Sequence, residues 1–131
     1  MRPFKSFVRT WMNRFACAGR GLRELLFQEP SGRVHAAALP VVILMGILFD
    51  ISGLEWAVLA LAAAGVIAAE ALNTAIEKLA DRVSLEREDS IRRVKDLAAG
   101  GVLAATVGAL AAGWAIFGAR LWKVVFGGGV G

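Results

Sequence analysis

The chain has 131 residues, enough for one domain, and 57% of them are hydrophobic. This exceeds the about 45–50% apolar residues of an average soluble domain, and the mean hydropathy is +0.61. Part of the excess is Ala and Gly, so the composition alone does not decide the class of protein, and the distribution of charge is more informative. The single cysteine, Cys17, excludes an intrachain disulfide and a cysteine cluster for zinc. The net charge of +4 is compatible with nucleic-acid binding. However, the cations flank apolar segments, so membrane topology and anionic lipid explain them better.

The first predicted element is an amphipathic helix over residues 4–27. Its apolar positions recur at helical spacing, with cations between them. They are Phe4, Phe7, Val8, Trp11, Phe15, Leu22 and Leu25. Such a helix would lie on the cytoplasmic membrane surface; the alternative is a helix packed on a partner protein. The segment "EPSG", residues 29–32, ends it because Pro30 disfavours helical geometry at Glu29.

Three apolar segments follow, and each predicts a transmembrane helix. Residues 34–51 and 56–83 carry charge only towards their ends or on one polar stripe. Residues 91–119 contain an uncharged run that reaches the about 20 residues a spanning helix needs. Residues 127–131 are predicted to form a flexible tail. The expected fold is therefore a single all-α membrane domain with one surface helix and three transmembrane helices.

Basic residues predict the orientation in the membrane. Before the first span lie Arg2, Lys5, Arg9, Arg14, Arg20, Arg23 and Arg33. Between the second and third spans lie Lys78, Arg82, Arg87, Arg92, Arg93 and Lys95. The turn from Asp50 to Glu55 has no basic residue, so the positive-inside rule places the N-terminus and the loop 78–96 in the cytoplasm. Arg120 and Lys123, after the third span, run mildly against this rule.

A polar stripe interrupts the apolar pattern of the second span. Glu70, Asn73 and Glu77 fall within about 60° on one helix face, and Glu77 lies about 10 Å beyond Glu70 along the axis. Asp81 extends the same stripe. An ionisable group inside a span is costly unless it is paired or hydrated, so the default interpretation is functional. The alternative is that Glu70 lies at head-group depth and is simply solvated.

Further polar residues are expected at the same membrane depth. Glu29 precedes the first span, and Lys95 and Asp96 lie where the third begins. Carboxylate oxygens without a His or Cys cluster suit Mg²⁺, which usually binds one or two carboxylates together with substrate phosphates. A nearby lysine can neutralise phosphate charge. This combination fits phosphoryl transfer, although the spacing alone also fits a cation or proton transporter.

Two motifs on these spans carry a family resemblance. The segments "EALNTAIEKLADRVS", residues 70–84, and "VKDLAAGGVLAA", residues 94–105, resemble the signature of the prokaryotic membrane lipid kinases, the diacylglycerol kinase and undecaprenol kinase family. The segments "GRGLRELLFQEPSGRVH", 19–35, and "ISGLEW", 51–56, are similar to the family's surface helix and outer turn. The resemblance covers about residues 7–117. It implies a homotrimer in the bacterial inner membrane, with cytoplasmic active sites between subunits.

The resemblance also implies an activity and a role for each motif residue. The activity is transfer of the γ-phosphoryl group of ATP to the primary hydroxyl of a membrane lipid. Glu70 matches the catalytic base, which deprotonates this hydroxyl, and Asn73 matches an amide that orients the reacting groups. Glu29 and Glu77 match Mg²⁺ ligands that also belong to the ATP site. Ala99 matches a contact to the lipid substrate.

The nucleotide side of the resemblance is less regular. Lys95 and Asp96 match ATP contacts, with the lysine directed towards phosphate, and Glu86 matches a carboxylate of the ATP site. Cys17 and Glu88 also match ATP-site positions, where the family often has Tyr and His. Arg87 and Thr10 replace a further Tyr and an Arg of some members. These differences leave the nucleotide preference open.

The acceptor lipid and one other class of function stay as alternatives. The segments Arg33–His35 and Asn73–Thr74 look slightly more like the undecaprenol branch of the family than like the diacylglycerol branch. The second class is a non-enzymatic small membrane protein, such as an ion pathway or an assembly factor. The outer halves of the three predicted spans are purely apolar, which opposes a conducting route.

Overall fold

The computed structural model describes residues 2–83 and 88–127, with side chains from residue 7 onward. All regular structure in this part of the chain is helical. The helices are α1 (Arg2–Gln28), α2 (Pro30–Leu48), α3 (Gly53–Val83) and α4 (Asp89–Phe126). By length and composition, α2, α3 and α4 can each cross a membrane. The predicted all-α membrane fold with three spanning helices is therefore confirmed.

Several helix ends differ from the predicted bounds. The second helix begins at Pro30 rather than at residue 34, because proline lacks only an N–H that the first helical turn does not use. It ends at Leu48 because the chain then turns through Asp50, whose φ of 46° is left-handed. The last helix continues past residue 119 to Phe126, since residues 119–126 contain neither glycine nor proline. Of the predicted tail, residues 128–131 lie outside the described part of the chain.

The third helix starts at Gly53, before the predicted Trp56, because two side chains cap its first turn. The Ser52 hydroxyl accepts a hydrogen bond from the backbone N–H of Glu55 at 3.3 Å. The Glu55 carboxylate accepts one from the backbone N–H of Ser52 at 2.8 Å. This reciprocal pair satisfies two N–H groups that have no partner within the helix.

A tight corner joins α1 to α2. Glu29 has extended backbone angles, φ −82° and ψ 135°, and interrupts the helix between Gln28 and Pro30. Buried Gly32 then lies directly against the backbone of Leu25 on α1. The Arg33 side chain donates a hydrogen bond to the Phe27 carbonyl at 3.0 Å, which satisfies one of the last free carbonyls of α1. The corner thereby holds Glu29 at the junction of the two helices.

The buried core lies at the opposite end of α2, near the turn into α3. Ile51, Leu59, Ile116 and Phe117 form its centre. The ring of Phe49, the residue that follows α2, lies 6.1 Å from that of Phe117, so the turn after α2 packs against α4 as well. Most other large apolar side chains are exposed in the chain, as expected for helices that face lipid or other helices.

Next to this core, an ion pair ties α3 to α4. Arg120 donates two hydrogen bonds to the Glu55 carboxylate, at 2.8 and 3.2 Å, and a third to the Ile116 carbonyl. Two parallel bonds between a guanidinium and a carboxylate are both strong and directional. Glu55 thereby neutralises one of the two cations that run against the predicted positive-inside pattern.

Replacing Arg120 by Met is expected to lower the thermal unfolding temperature in detergent by a few degrees, because Glu55 loses its interhelical partner while the aliphatic stem is kept. Circular dichroism during heating measures this shift. Lys123→Met removes a cation one turn further along α4 and serves as the matched control. Equal shifts for both variants would show that general charge, rather than the Glu55 pair, is responsible.

Candidate active site

Glu70 lies within the packed part of α3. It is 7% exposed and is the one buried charged residue in the part of the chain that the structure describes. Its Oε1 atom lies 3.2 Å from Nε2 of His35, on the first turns of α2. Glu70 is therefore paired and largely shielded, whereas the alternative of a simply solvated carboxylate expects an exposed side chain.

His35 was not among the predicted site residues. Its signals were a polar residue at the start of an otherwise apolar segment and its place in the family-like segment 19–35. The partner, Glu70, is 35 residues away in the chain, and the pairing depends on how α2 is rotated against α3. Helical periodicity describes each helix separately, so it carries no information about this contact.

One turn further along α3, Asn73 and Glu77 are joined directly. The Asn73 side-chain N–H donates to Oε1 of Glu77 at 3.0 Å. The other polar atom of Asn73, Oδ1, is buried and has no hydrogen-bond partner among the described residues. Buried polar atoms are nearly always paired, so this oxygen is a natural acceptor for a group that enters the site. The predicted stripe therefore contains one free acceptor between two carboxylates.

Glu29 belongs to a second cluster, between α1 and α3. The Lys78 ammonium lies 2.7 Å from Oε1 of Glu29 and 2.7 Å from Oε1 of Glu24. The hydrogen bond that Lys78 donates to Glu24, together with the positive charge of the lysine, holds the pKa of Glu24 below its usual value. The three side chains border a small pocket of about 210 Å³ whose wall also includes Thr74. Lys78 and Glu24 were not among the predicted site residues.

Lys95 and Asp96 at the start of α4 both pair with other side chains of the protein. The Lys95 ammonium pairs with the carboxylate of Asp81 on α3. Arg92 donates to Asp96 at 3.3 Å, one turn along α4. The structure thus gives Lys95 and Asp96 protein partners, and their predicted contacts with ATP stay predictions. Ala99 is exposed on the same helix.

Three other residues were predicted to belong to the ATP site: Cys17, Glu86 and Glu88. Cys17 is exposed on α1, and its sulfur accepts a hydrogen bond from Arg20 at 3.0 Å. Glu88 is the residue before α4, with extended backbone angles. Glu86 and its neighbour Arg87 lie outside the described residues.

The candidate metal ligands are two carboxylates: Glu29, at the junction of α1 and α2, and Glu77, on α3. Among the described residues, no three His, Cys, Asp or Glu side chains converge as a ready-made metal site. Glu29 lines the pocket between α1 and α3, and Glu77 is not part of that lining. Mg²⁺ fits such a donor set, because it needs only one or two carboxylates when substrate phosphates supply other ligands.

A larger cavity of about 430 Å³ lies between α2, α3 and α4. Its lining residues are uncharged and mostly apolar. They include His35 near the start of α2 and Phe117, which packs against Phe49 just beyond the end of that helix. The cavity therefore runs along α2, with the His35–Glu70 pair at one end. Its shape and chemistry suit a hydrocarbon chain.

Most of the chain is similar in sequence to known proteins. The sequence model of the family described as prokaryotic diacylglycerol kinase matches residues 16–117. The chain is also 38% identical over 101 residues to a Bacillus subtilis protein named undecaprenol kinase, covering 77% of this chain and 76% of that protein. The family match includes both polar clusters on α3. The chain therefore belongs to the prokaryotic diacylglycerol kinase family and is a membrane lipid kinase.

Proposed function

We propose that this kinase transfers the γ-phosphoryl group of ATP to the primary hydroxyl of a membrane lipid, and that undecaprenol is preferred to diacylglycerol. The observation that carries the activity is the row of Glu70, Asn73 and Glu77 on α3, with Glu70 buried beside His35. The similarity to a relative named undecaprenol kinase supports the choice of acceptor.

In the proposed reaction, Glu70 is the general base. Its carboxylate takes the proton of the lipid hydroxyl while the hydroxyl oxygen forms a bond to the γ-phosphorus and the bond to the ADP oxygen breaks. The 3.2 Å contact with His35 orients the carboxylate. The buried Oδ1 atom of Asn73 is available to accept a hydrogen bond from another donor that enters the site, because the single proton of the lipid hydroxyl goes to Glu70.

The lipid chain is proposed to lie in the apolar cavity along α2. The cavity has His35 at one end and uncharged side chains along its length. A lipid bound there would bury its hydrocarbon, which is the main source of binding energy for an apolar ligand, and would present its hydroxyl near Glu70. Ala99 is proposed to contact the lipid from α4.

Charge on the nucleotide is proposed to be neutralised by Mg²⁺ held by Glu29 and Glu77. Bound there, the ion would supply the electrostatic stabilisation on which phosphoryl transfer depends. Lys95 and Asp96 are proposed as further ATP contacts. Cys17, Glu86 and Glu88 complete the proposed ATP-site residues.

The proposed assembly is a homotrimer with active sites between subunits. In the described part of one chain, α1 packs against α2 and α3, and no contact joins it to α4. The proposed ATP-site residues are nevertheless divided between α1, α3 and α4. A neighbouring subunit could bring an α4 helix to the pocket between α1 and α3, which supports a shared site.

The proposed orientation places the N-terminus, α1 and the active site in the cytoplasm, in the inner membrane of a bacterium. The basic residues around α1 and the α3–α4 loop support it through the positive-inside rule. Exposed aromatic side chains follow one another along α1, with ring centroids 6.0 Å apart for Phe7 and Trp11 and 6.2 Å for Trp11 and Phe15. Such a row suits an amphipathic helix on the membrane surface.

A lipid panel tests the proposed function. The purified protein is reconstituted in liposomes with Mg²⁺ and labelled ATP, and receives either undecaprenol or diacylglycerol at equal mole fraction. We expect label in both lipids, with the larger initial rate for undecaprenol. Label in neither lipid would refute the proposal, and a higher rate with diacylglycerol would reverse the choice of acceptor. Ion flux through the same liposomes tests the transport alternative, and we expect none.

A further inference from the structure

Lys78 holds two carboxylates at once. Its ammonium lies 2.7 Å from one oxygen of Glu24 and 2.7 Å from one oxygen of Glu29. The Glu29 side chain is 25% exposed, whereas those of Lys78 and Glu24 are 54% and 52% exposed. Glu29 is thus the more enclosed of the two carboxylates, and it lines the same pocket as Lys78 and Glu24.

The position of this ammonium matters because Glu29 is the proposed metal ligand in the same pocket. An ammonium is a compact charge with three donors, and it lies 2.7 Å from Oε1 of Glu29. A divalent cation that binds the same oxygen would be repelled by a lysine at this distance. The metal and Lys78 therefore compete for Glu29.

Glu24 allows the metal ion to replace Lys78 at the Glu29 carboxylate. If Lys78 had Glu29 as its single partner, its release would leave an unpaired ammonium beside an incoming cation. Instead Glu24, on α1, already shares the same ammonium. Lys78 can therefore withdraw from Glu29 and remain paired, while the cluster of two carboxylates and one lysine keeps a net negative charge that attracts a cation.

We propose that Lys78 is the built-in counter-ion of Glu29, that it competes with the divalent cation for this carboxylate, and that Glu24 holds Lys78 after the exchange. This inference rests on the proposed function, in which Glu29 is a metal ligand. Its consequence is a lowered metal affinity in the absence of nucleotide, so that the cation binds together with ATP, whose phosphates supply the remaining ligands.

The test measures metal binding directly rather than turnover. Free Mn²⁺ is followed by its electron paramagnetic resonance signal during titration of the purified protein in detergent, with and without a non-hydrolysable ATP analogue. Lys78→Met removes the competing charge and keeps most of the side-chain length. We expect it to tighten Mn²⁺ binding without the analogue by about two- to fivefold, the range given by exposed ion pairs. Lys78→Arg keeps the charge and is expected to bind Mn²⁺ as the parent does.

Glu24→Gln separates competition from general electrostatics. It leaves Lys78 with Glu29 alone, so we expect weaker Mn²⁺ binding by about two- to fivefold in the parent background. In the Lys78→Met background the same substitution should have a smaller effect, because only the loss of one negative charge near the cation remains. An equal effect in both backgrounds would overturn the proposal, since a double-mutant cycle then shows no coupling.

Other outcomes are equally decisive. Unchanged or weaker Mn²⁺ binding by a folded Lys78→Met protein, or an absence of Mn²⁺ binding in the parent, would overturn the competition model. The kinase assay is run on the same preparations. A parent protein that phosphorylates lipid while these binding results fail would leave the proposed function standing, whereas a parent without lipid phosphorylation would refute the proposed function.

Discussion

Glu70→Gln is expected to reduce the rate of lipid phosphorylation by about 10²–10⁴-fold, the range typical for loss of a general base. Glutamine has nearly the same shape and can still hydrogen-bond to His35, which lies 3.2 Å from Glu70. It cannot accept the proton of the lipid hydroxyl. The initial rate of label transfer from ATP to undecaprenol in liposomes measures the effect.

The control for Glu70→Gln should change an acid to an amide without touching the site. Asp50→Asn meets this requirement, because Asp50 is exposed in the turn between α2 and α3. Its φ of 46° is a conformation that asparagine adopts readily. We expect the parental rate for Asp50→Asn. A Glu70→Gln protein that folds normally and keeps more than about a tenth of the parental rate would exclude Glu70 as the base, since even a weak general base contributes more.

Gly32→Ala is expected to destabilise the corner between α1 and α2. A Cβ atom at this position would lie 2.6 Å from the carbonyl carbon of Leu25 and 3.2 Å from Cα of Leu26. Both atoms belong to the backbone of α1, so no side-chain rotation relieves the overlap and α1 itself must move. Overpacking of this kind typically costs about 1–3 kcal/mol of the free energy of unfolding.

The displacement should also affect the site, because Glu29 lies between Leu25 and Gly32 and depends on the corner for its position. We expect a lower thermal unfolding temperature together with weaker Mn²⁺ binding. Gly19→Ala is the matched control, since a Cβ there meets nothing within 4 Å, and alanine is the better helix former. Parental unfolding temperature and Mn²⁺ affinity in the Gly32→Ala protein would show that the two helices are not packed this closely in the membrane.

Much of the fold could be predicted because its signals are local. The apolar runs of α2, α3 and α4 exceed or approach the length needed to cross a membrane, and each was visible without knowledge of the others. The bounds were less certain because helix ends depend on details of single residues. The second helix begins a few residues before its predicted start because its first turn tolerates Pro30. The third helix also begins earlier than predicted, because Ser52 and Glu55 cap its first turn.

The stripe on α3 was also predictable, since Glu70, Asn73 and Glu77 share one face in any regular helix. Their partners were not. His35 and Glu70 are 35 residues apart in the chain, Glu24 and Lys78 are 54 apart, and Glu55 and Arg120 are 65 apart. Each pairing depends on the rotation of one helix against another, and a hydropathy pattern or a helical period contains no term for that rotation.

The sequence by itself determined that this is a helical membrane protein, how many helices can span the membrane, and which residues form the polar stripe. Hydropathy and helical periodicity act within a single segment, so these properties need no knowledge of the tertiary structure. Only the tertiary structure decided which polar and charged side chains meet: Glu70 with His35, Glu29 with Lys78, and Glu55 with Arg120. Charges interact strongly only over a few ångströms, so their pairing is set by the packing of α1, α2 and α4 around α3. That packing places His35 beside Glu70 of the polar stripe, and it forms a separate cluster in which Lys78 of α3 pairs with Glu24 and Glu29.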